Sequence, residues 1–261
     1  MPETMQGKTV IVAGLASGLG EEIAKRFAED GANLVLADPT ADVEAMAQVI
    51  MAEHPACKAI GCVTDFLDPR SCEAMVARAI DAFGKVDALV IAAVTLQKMG
   101  PMVSIEPDEW DRVMAFNVKG PFLLCKSAVP ALARPGGSIA VVGSFTAQMG
   151  FANASLYSAS KAAEMSLVRT LAAELAPEGI RVNAVAPGYL WSNVDQQSLE
   201  AVAQKTGRTV EEVRAARDAT IPLGRQAAAR EVAEAMYFIA SPAASYMTGA
   251  CLDVNGGLII R

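Results

Sequence analysis

A strand, a glycine-rich turn, a helix and a second strand follow one another near the start of the chain, and this order constrains the fold more than any other feature. Thr9–Ala13 is a short β-branched run that predicts a fully buried strand. After the turn, Glu21–Asp30 carries apolar residues at helical spacing. A second buried run, Asn33–Ala37, ends at Asp38. This order is typical of a βαβ unit that binds a dinucleotide.

The turn contains three glycines in the pattern Gly14-x-x-x-Gly18-x-Gly20. In such a turn one glycine allows the tight bend, one lets backbone amides approach a pyrophosphate, and one lets the helix pack closely on the strand. The N-terminus of the helix adds amide donors and the positive end of its dipole. Three glycines at this spacing also arise by chance, because about 7% of residues are glycine. The turn indicates a dinucleotide site because it lies between a predicted strand and a predicted helix.

Two aspartates follow predicted strands and are candidates for binding the adenosine half of a dinucleotide. A carboxylate at Asp38 can accept hydrogen bonds from the adenosine ribose, and its charge would repel the 2′-phosphate of NADP. Ser17 and Pro39 stand where a basic side chain would otherwise compensate. We therefore expect NAD to be preferred over NADP. Asp65 could bond the adenine amine in the same way, and the alternative for both aspartates is a structural role in a turn.

Strands and helices alternate along the rest of the chain. This predicts an α/β fold in which a doubly wound parallel sheet is covered by helices on both faces. Without a linker or repeat, we expect one domain over residues 1–261. The long connection Gly188–Gly224, which contains the helix-compatible stretch Val210–Ala219, is a candidate substrate lid. The further predicted helices are Asp42–Glu53, Pro69–Phe83, Pro107–Leu132 with a bend near Gly120, Ser155–Ala176 and Glu231–Ala240, and the further strands are Lys58–Val63, Ala88–Ala92, Ser138–Gly143, Arg181–Ala186 and Ala250–Val254.

Composition excludes several other classes of protein. The chain has 261 residues, of which 52% are hydrophobic, so it can bury a sizeable core. Its net charge of -7 argues against a nucleic-acid partner, because phosphate binding needs a basic surface. The five cysteines are scattered and form no Cys-x-x-Cys pair, which argues against disulfides and a metal site. Without a secretory signal or an apolar run of roughly 20 residues, we expect a soluble, cytoplasmic protein with no membrane partner.

Tyr157 and Lys161 have the spacing of a proton-handling pair. Residues four apart lie on the same face of a helix, so an ammonium would stand beside a phenol. A neighbouring positive charge favours the phenolate, and this moves the phenol from its ordinary pKa of about 10 toward a useful value. The spacing alone is weak evidence, because Tyr-x-x-x-Lys also occurs by accident.

The whole set of motifs resembles the short-chain dehydrogenase/reductase family. The resemblance covers essentially the whole chain, and it is specific because the motifs occur in the right order and spacing. It implies a Rossmann-type domain with seven parallel strands and a homotetramer assembled through long helices, including the helix that bears the tyrosine. The motifs are the Gly14–Gly20 turn, Asn117, Ser144, Tyr157, Lys161, Arg181–Gly188 and Thr248–Gly257.

The resemblance implies hydride transfer between a nicotinamide and a secondary alcohol or ketone. Tyr157 would be the general acid/base, and Ser144 would hydrogen-bond the substrate oxygen. Lys161 would lower the pKa of Tyr157 and bind the nicotinamide ribose, while Asn117 would hold a water that connects Lys161 to solvent. The implied cofactor contacts are Gly14, Ser17, Gly18, Leu19, Gly20, Asp38, Asp65, Phe66, Ala92, Ala93, Tyr157, Lys161, Pro187, Gly188, Leu190 and Ser192.

Two stretches depart from the family pattern. The family usually has threonine before the first glycine, where this chain has Ala13. It usually has Asn-Asn-Ala-Gly after the fourth strand, where this chain has Ile91–Val94. The second departure removes a side-chain amide that braces the sheet and a glycine that leaves room near the adenosine. We expect altered cofactor affinity and intact catalysis, because no catalytic residue is touched.

The expected substrate walls are apolar, which suits a moderately hydrophobic alcohol or ketone. We expect the substrate to contact Ser144, Phe145, Met149, Phe151, Tyr157, Tyr189 and Trp191, with Gln97, Gln148 and Tyr189 as candidate polar anchors.

Two other functions remain open. One is reduction of a 3-oxoacyl carrier protein. Carrier proteins are acidic, and members with that activity typically have arginine just before the glutamate that corresponds to Glu174, where this chain has Ala173. The other is a nucleotide-binding regulatory protein that has lost catalysis, which the altered Ala13 and Ile91–Val94 favour and the complete catalytic set opposes.

Overall fold

Parallel strands from the whole length of the chain form one seven-stranded sheet in the computed structural model, which describes residues 4–40, 42–191 and 193–260. The strands are β1 (Thr9–Ala13), β2 (Asn33–Asp38), β3 (Lys58–Val63), β4 (Ala88–Ile91), β5 (Ser138–Val142), β6 (Arg181–Pro187) and β7 (Cys251–Val254). Their order across the sheet is β3-β2-β1-β4-β5-β6-β7. The doubly wound α/β class that the sequence predicts is confirmed.

The direction of winding reverses between β1 and β4. Ala13, the last residue of β1, lies opposite Ala37 on one side and Ile91 on the other. The connections that leave β1 and β4 therefore run to opposite faces of the sheet and open a crevice at its carboxyl edge. Ligands of open α/β sheets bind in such a crevice.

Helices cover both faces of the sheet because the strands are apolar on both sides. In β1, Val10 and Val12 pack into one core with the first two helices and the last one, while Ile11 and Ala13 pack into a second core. None of the described helices is both long and apolar enough to cross a membrane. The helices are α1 (Leu19–Glu29), α2 (Val43–Glu53), α3 (Pro69–Phe83), α4 (Pro107–Met114), α5 (Gly120–Ala128), α6 (Ser155–Leu175), α7 (Asn193–Thr206), α8 (Val210–Asp218) and α9 (Ala229–Ala240).

The long helix predicted over Pro107–Leu132 is interrupted by one wide π turn, Ala115–Lys119, between α4 and α5. Pro121 explains the interruption, since it has no N–H to donate to the carbonyl of Asn117 four residues earlier. The backbone N–H of Gly120 instead donates to the carbonyl of Ala115, five residues earlier. The helix therefore restarts at Gly120, where the sequence suggested a bend or a restart.

The candidate lid contains two helices, of which the sequence predicted only α8. The α7 sequence is largely polar and has weak periodicity, so it gave no helical signal. Its buried residues Leu199 and Ala203 pack on Val213 of α8 and form a small core separate from the sheet. The helix is therefore stabilised by its partner rather than by the pattern of its own sequence.

Candidate active site

The glycine turn lies at the carboxyl end of β1 and touches the loop after β4. A Cβ at Gly14 would come within 2.2 Å of the backbone nitrogen of Ala93, and one at Gly20 would come within 1.9 Å of the carbonyl of Gly14. Gly18 begins α1 with a φ of 83°, a conformation that glycine adopts without strain. Each glycine is needed for a steric reason of its own, as the motif implies.

Asp38 holds the glycine turn from the end of β2. One carboxylate oxygen accepts hydrogen bonds from the backbone amides of Leu15 and Ala16, at 2.7 and 3.1 Å. The other accepts from the backbone amide of Thr40 at 2.8 Å and from its hydroxyl at 3.0 Å. The side chain is nearly fully buried. Asp38 therefore has a structural role in the turn, the alternative that the sequence left open, in addition to any contact with a ligand.

A cavity of about 330 Å³ opens between the glycine turn and the loop after β4. Five of the predicted cofactor residues line it. Arg112 lines it too, as does Val94, which stands where the family usually has glycine. Backbone amides at a glycine turn, a helix N-terminus and a carboxylate suit a pyrophosphate and a ribose, so the residues present fit a dinucleotide. The five are Gly14, Ser17, Asp38, Ala92 and Ala93.

Among the predicted cofactor residues that do not line this cavity are Leu19, Asp65 and Phe66. Leu19 is buried in the core as the first residue of α1. The ring of Phe66 is also in the core, with its centroid 6.0 Å from that of Phe116. Asp65 is exposed, and its carboxylate accepts a hydrogen bond from the amide of Leu67 at 2.8 Å, so the structure gives it a turn-capping role.

The predicted nicotinamide-binding residues lie at the carboxyl end of β6. Pro187 is buried as the last residue of that strand. A Cβ at Gly188 would come within 2.8 Å of the Cα of Asn255, so only glycine fits there. Leu190 packs partly against the core and pairs with Ala227. The predicted contact Ser192 lies outside the described residues.

Ser144, Tyr157 and Lys161 converge beside this crevice. Ser144 follows β5, is nearly buried, and its hydroxyl lies 2.9 Å from that of Thr146. Burial, the largest effect on the Tyr157 phenol, raises its pKa, whereas the Ser144 hydroxyl lowers it. Lys161 is fully buried on α6, and its ammonium donates to the carbonyl of Val142 at 2.9 Å. The arrangement brings a phenol, a hydroxyl and an ammonium together at the sheet edge.

Asn117, fully buried in the π turn, connects α4 and α5 to the active-site loops. Its side-chain oxygen accepts from the amide of Thr95 at 2.8 Å, and its nitrogen donates to the carbonyl of Thr95 at 2.9 Å. The same nitrogen donates to the hydroxyl of Ser160 at 3.0 Å. The side chain thus has a bracing role that the sequence did not predict, while the backbone carbonyl lacks the α-helical donor that Pro121 cannot supply.

Comparisons with known proteins agree with this geometry. A family model described as enoyl-(acyl carrier protein) reductase matches residues 14–259. The chain is 37% identical over 259 residues to cis-4-hydroxycyclohexanecarboxylate dehydrogenase of Sinomonas cyclohexanicum, with 98% of both sequences covered. The chain belongs to the short-chain dehydrogenase/reductase family. It is thus an oxidoreductase by family.

Other members of the short-chain dehydrogenase/reductase family are similar over nearly the whole chain. The 3-oxoacyl-[acyl-carrier-protein] reductase FabG of Vibrio cholerae is 34% identical over 256 residues, which covers 97% of this chain and 98% of that protein. Among solved structures, L-sorbose reductase from Gluconobacter frateurii, complexed with NADPH and L-sorbose, superposes with a TM-score of 0.92 at 26% identity and full coverage of both chains.

Glu164 is a buried site residue that the sequence analysis did not identify. Its carboxylate accepts a hydrogen bond from the ammonium of Lys161 at 2.8 Å, and both side chains are 1% exposed. Burial lowers the pKa of Lys161, but Glu164 and Tyr157 outweigh this effect and the pKa is raised. The available signal was an acidic residue three positions after Lys161, on the same side of the helix.

Aromatic side chains form one wall beside Ser144 and Tyr157. The rings of Phe145, Phe151 and Tyr189 contact one another, with centroids 5.4 to 6.4 Å apart. The other predicted wall residues, Met149 and Trp191, are partly exposed. The structure therefore gathers three of the predicted substrate contacts, Phe145, Phe151 and Tyr189, into one aromatic cluster.

Two arginines of α8 cover this aromatic wall from the lid. The guanidinium carbon of Arg217 is 4.9 Å from the ring centre of Tyr189, and that of Arg214 is 4.0 Å from Trp191. The sequence analysis did not predict these contacts.

Two of the three predicted polar anchors, Gln97 and Gln148, form hydrogen bonds within the protein. Gln97 is nearly buried, and its Nε2 donates to the carbonyl of Asn153 at 3.0 Å. Gln148 donates to the carboxylate of Asp253 at 2.8 Å. These bonds make both glutamines braces between loops rather than side chains directed at a substrate.

Proposed function

We propose that this protein is an NAD-dependent oxidoreductase that interconverts a secondary alcohol and a ketone, with Tyr157 as general acid/base. The observation that carries the proposal is the convergence of Tyr157, Ser144 and Lys161 at the carboxyl edge of the sheet, beside a crevice that fits a dinucleotide. Family membership alone supports only an oxidoreductase, because members differ in substrate. The domain over residues 1–261 and a location in the cytoplasm stay predictions.

The chain's own residues would handle the proton. In oxidation the phenolate of Tyr157 takes the hydroxyl proton of the alcohol, and in reduction the phenol returns a proton to the carbonyl oxygen. Ser144 donates a hydrogen bond to the same oxygen and holds it next to Tyr157. The ammonium of Lys161 supports the phenolate by its charge. The bound nicotinamide would accept or supply the hydride.

The carbonyl of Asn117 offers a route for the proton to reach solvent. Pro121 leaves this buried oxygen without its helical donor, so it can accept a hydrogen bond from a water. The Asn117 side chain donates to the hydroxyl of Ser160 at 3.0 Å, and this bond joins the π turn to the helix that bears Lys161. This supports the role that the family resemblance implies for Asn117.

We propose that the cofactor is NAD rather than NADP because Asp38 lines the cavity with a negative charge. The similar sorbose reductase is complexed with NADPH, so the preference depends on this chain's own residue. The residues that would hold the dinucleotide are Gly14, Ser17, Gly18, Gly20, Asp38, Ala92, Ala93, Tyr157, Lys161, Pro187, Gly188, Leu190 and Ser192. The predicted contacts of Leu19, Asp65 and Phe66 stay predictions, since these residues do not line the cavity and their described contacts are with other parts of the protein.

A small cyclic secondary alcohol or its ketone is the substrate class that suits the wall best. The wall of Phe145, Phe151 and Tyr189 can pack against an alicyclic ring, as aromatic side chains pack against apolar surface. A relative of this chain is a dehydrogenase of such a hydroxycyclohexane acid.

Reduction of a 3-oxoacyl carrier protein is the second candidate, and the similar FabG favours it. Exposed Ala173 on α6 opposes it, since a basic residue there would meet an acidic carrier protein. The net charge of -7 opposes it as well.

The test is a panel of alcohols and ketones followed through NADH absorbance. The panel contains cyclic alcohols with and without a carboxylate, polyols, sugar acids and acetoacetyl thioesters, each with NAD(H) and NADP(H). We expect the highest kcat/KM with a cyclic alcohol or its ketone, and with NAD(H) rather than NADP(H). Activity confined to the thioester would favour the second candidate, and no activity with any compound would favour a regulatory nucleotide-binding protein.

We also propose a homotetramer formed through α4, α5 and α6. An open groove of about 790 Å³ runs between these helices, and Phe122 on its rim is 46% exposed. Exposed aromatic side chains in a groove favour contact with another apolar surface. Light scattering of the purified protein and of Phe122→Glu tests this, and we expect the variant to dissociate.

A further inference from the structure

A buried carboxylate faces the lysine of the proposed proton-handling site. Glu164 lies one helical turn after Lys161 on α6, and its Oε2 is 2.8 Å from the lysine Nζ. The other carboxylate oxygen is buried and has no hydrogen-bond partner among the described residues. Burying a charged pair costs desolvation energy, and an apolar pair of similar size would often be at least as stable. Stability therefore does not explain why this pair is present.

The hydrogen bonds of Lys161 fix its ammonium at one place. Nζ donates to the carbonyl of Val142 at 2.9 Å and to Glu164 at 2.8 Å. An ammonium has three N–H groups, so these two bonds leave one donor for a third acceptor in the crevice. Glu164 thus orients the Lys161 ammonium and leaves one N–H of that ammonium available.

The negative charge of Glu164 also acts on Tyr157. The ionisable side chains that face Glu164 are Lys161 and Tyr157 on its own helix and Cys125 from α5. Burial raises the pKa of Cys125 to about 12, so this thiol stays neutral. Burial raises the pKa of Tyr157, Lys161 lowers it, and Glu164 raises it. Glu164 therefore works against the effect that Lys161 has on the phenol.

We propose that Glu164 is a positioning residue that fixes the ammonium of Lys161 and offsets its charge, so that Tyr157 is held in its proton-donating form. The inference rests on the proposed function, since it concerns the proton that Tyr157 transfers. A phenol that keeps its proton donates it readily to a carbonyl, so the site favours reduction of a ketone near neutral pH. The reverse reaction requires the phenolate and gains rate as the pH rises.

Glu164→Gln is the variant that isolates the charge. The glutamine oxygen can still accept the hydrogen bond from Lys161, but the negative charge is gone. The phenolate of Tyr157 then remains as the counter-ion of the ammonium among the described residues, so Tyr157 should ionise at lower pH. We expect the midpoint to fall, because removing a negative charge from the surroundings of a phenol favours its phenolate.

The measurement is a titration of phenolate absorbance in the cofactor-free protein. The chain has four tyrosines, and subtracting the titration of Tyr157→Phe, made in each background, isolates the signal of Tyr157. Glu174→Gln is the matched control, because it removes the same charge from an exposed position of the same helix. An unchanged or higher midpoint in Glu164→Gln would overturn the proposal, as would an equal displacement in Glu174→Gln.

A second variant covers the case in which Glu164→Gln does not fold. Glu164→Asp keeps the charge but withdraws it from Lys161 and Tyr157, so the midpoint should fall by less than in the glutamine variant. A rise, or no change at all, would contradict the proposal. A merely structural role for Glu164 would lower stability without moving the midpoint in either variant.

Turnover provides an independent check where a substrate is found. The rate of oxidation rises with pH and the rate of reduction falls, and both changes follow the ionisation of Tyr157. In Glu164→Gln we expect the two pH profiles to be displaced to lower pH by the same amount. The absorbance titration needs no substrate, so its outcome is separate from that of the proposed function. A displaced midpoint in a protein with no dehydrogenase activity would uphold the charge effect and reject the function.

Discussion

The side-chain amide of Gln97 holds the backbone of Tyr157, since its Oε1 accepts a hydrogen bond from the Tyr157 amide at 2.6 Å. Tyr157 lies in the first turn of α6, where backbone N–H groups have no acceptor within the helix. Gln97 supplies that acceptor from the loop after β4, and its own Nε2 donates to Asn153. The position of the proposed acid/base therefore depends on a residue sixty positions earlier in the chain.

Replacing Gln97 by alanine should weaken catalysis more than cofactor binding. The Tyr157 amide would lose its acceptor, which costs about 1–3 kcal/mol of unfolding free energy for a buried group. We expect kcat to fall by roughly tenfold, because small displacements of a catalytic group are costly. Denaturant unfolding, steady-state kinetics and NADH binding measure the three effects. Gln97→Glu keeps the acceptor and should lose less activity, and an unchanged kcat in Gln97→Ala would reject the positioning role.

Removing the phenol of Tyr157 should abolish turnover and leave NADH binding nearly intact. Tyr157→Phe keeps the ring but cannot transfer a proton, and general acid/base groups contribute about 10²–10⁴-fold to rate. Turnover with the best substrate of the panel and NADH fluorescence titration check both parts. Tyr246→Phe is the control because Tyr246 is fully exposed. Normal turnover of Tyr157→Phe would show that the mechanism is wrong.

The fold was largely predictable because its strands are buried on both faces. Such strands appear in the sequence as continuous apolar runs, and the bounds of β1 and β3 agree with the prediction. Helix α3 also agrees, since Asp68 caps its start and Gly84 ends it in a left-handed conformation. The bounds of α7 were not predictable, because its helical state depends on contacts with α8 rather than on its own pattern.

Site residues were predictable where the residue type itself indicates the chemistry. They were not predictable where their role depends on being buried in the folded protein. Tyr157 and Lys161 have a recognisable spacing. Glu164 three residues later has the spacing of an ordinary surface charge on a helix, and only the packing of α6 makes it a buried partner of the lysine. Gln97 and Gln148 carry no sequence signal that separates a brace from a substrate anchor, since an amide suits both.

Alcohol oxidation should accelerate toward alkaline pH without an early plateau. Burial, and then Glu164, raise the pKa of Tyr157 above its ordinary value of 10, and Lys161 opposes them. The base form of Tyr157 is the phenolate, so its fraction, and the rate of oxidation, should grow as the pH rises toward that pKa. Reduction uses the phenol and should be constant over the same range. Profiles of kcat/KM in both directions test this, and a plateau of oxidation near neutral pH would contradict it.

Neutralising Asp38 should narrow the preference for NAD. The carboxylate would repel a 2′-phosphate, so Asp38→Asn should improve kcat/KM with NADP relative to NAD while it keeps one oxygen acceptor for the turn. Asp38→Ala should narrow the ratio too, and should also lower stability because the amides of Leu15 and Ala16 lose their acceptor. Parallel assays with both cofactors and a thermal melt separate the effects. A preference of the wild-type protein for NADP would contradict the proposal that Asp38 excludes the 2′-phosphate.

Loosening the lid should raise KM for the substrate. Arg214 lies 4.0 Å from the ring centre of Trp191, a contact that is worth about 0.5–2 kcal/mol and joins α8 to the loop after β6. Arg214→Ala should therefore raise KM several-fold with little change in global stability. Arg208→Ala is the matched control, because Arg208 is an exposed lid arginine that donates to the carbonyl of Glu212. Equal effects of the two variants on KM would mean that charge on the lid, and not contact with the aromatic wall, controls access to the site.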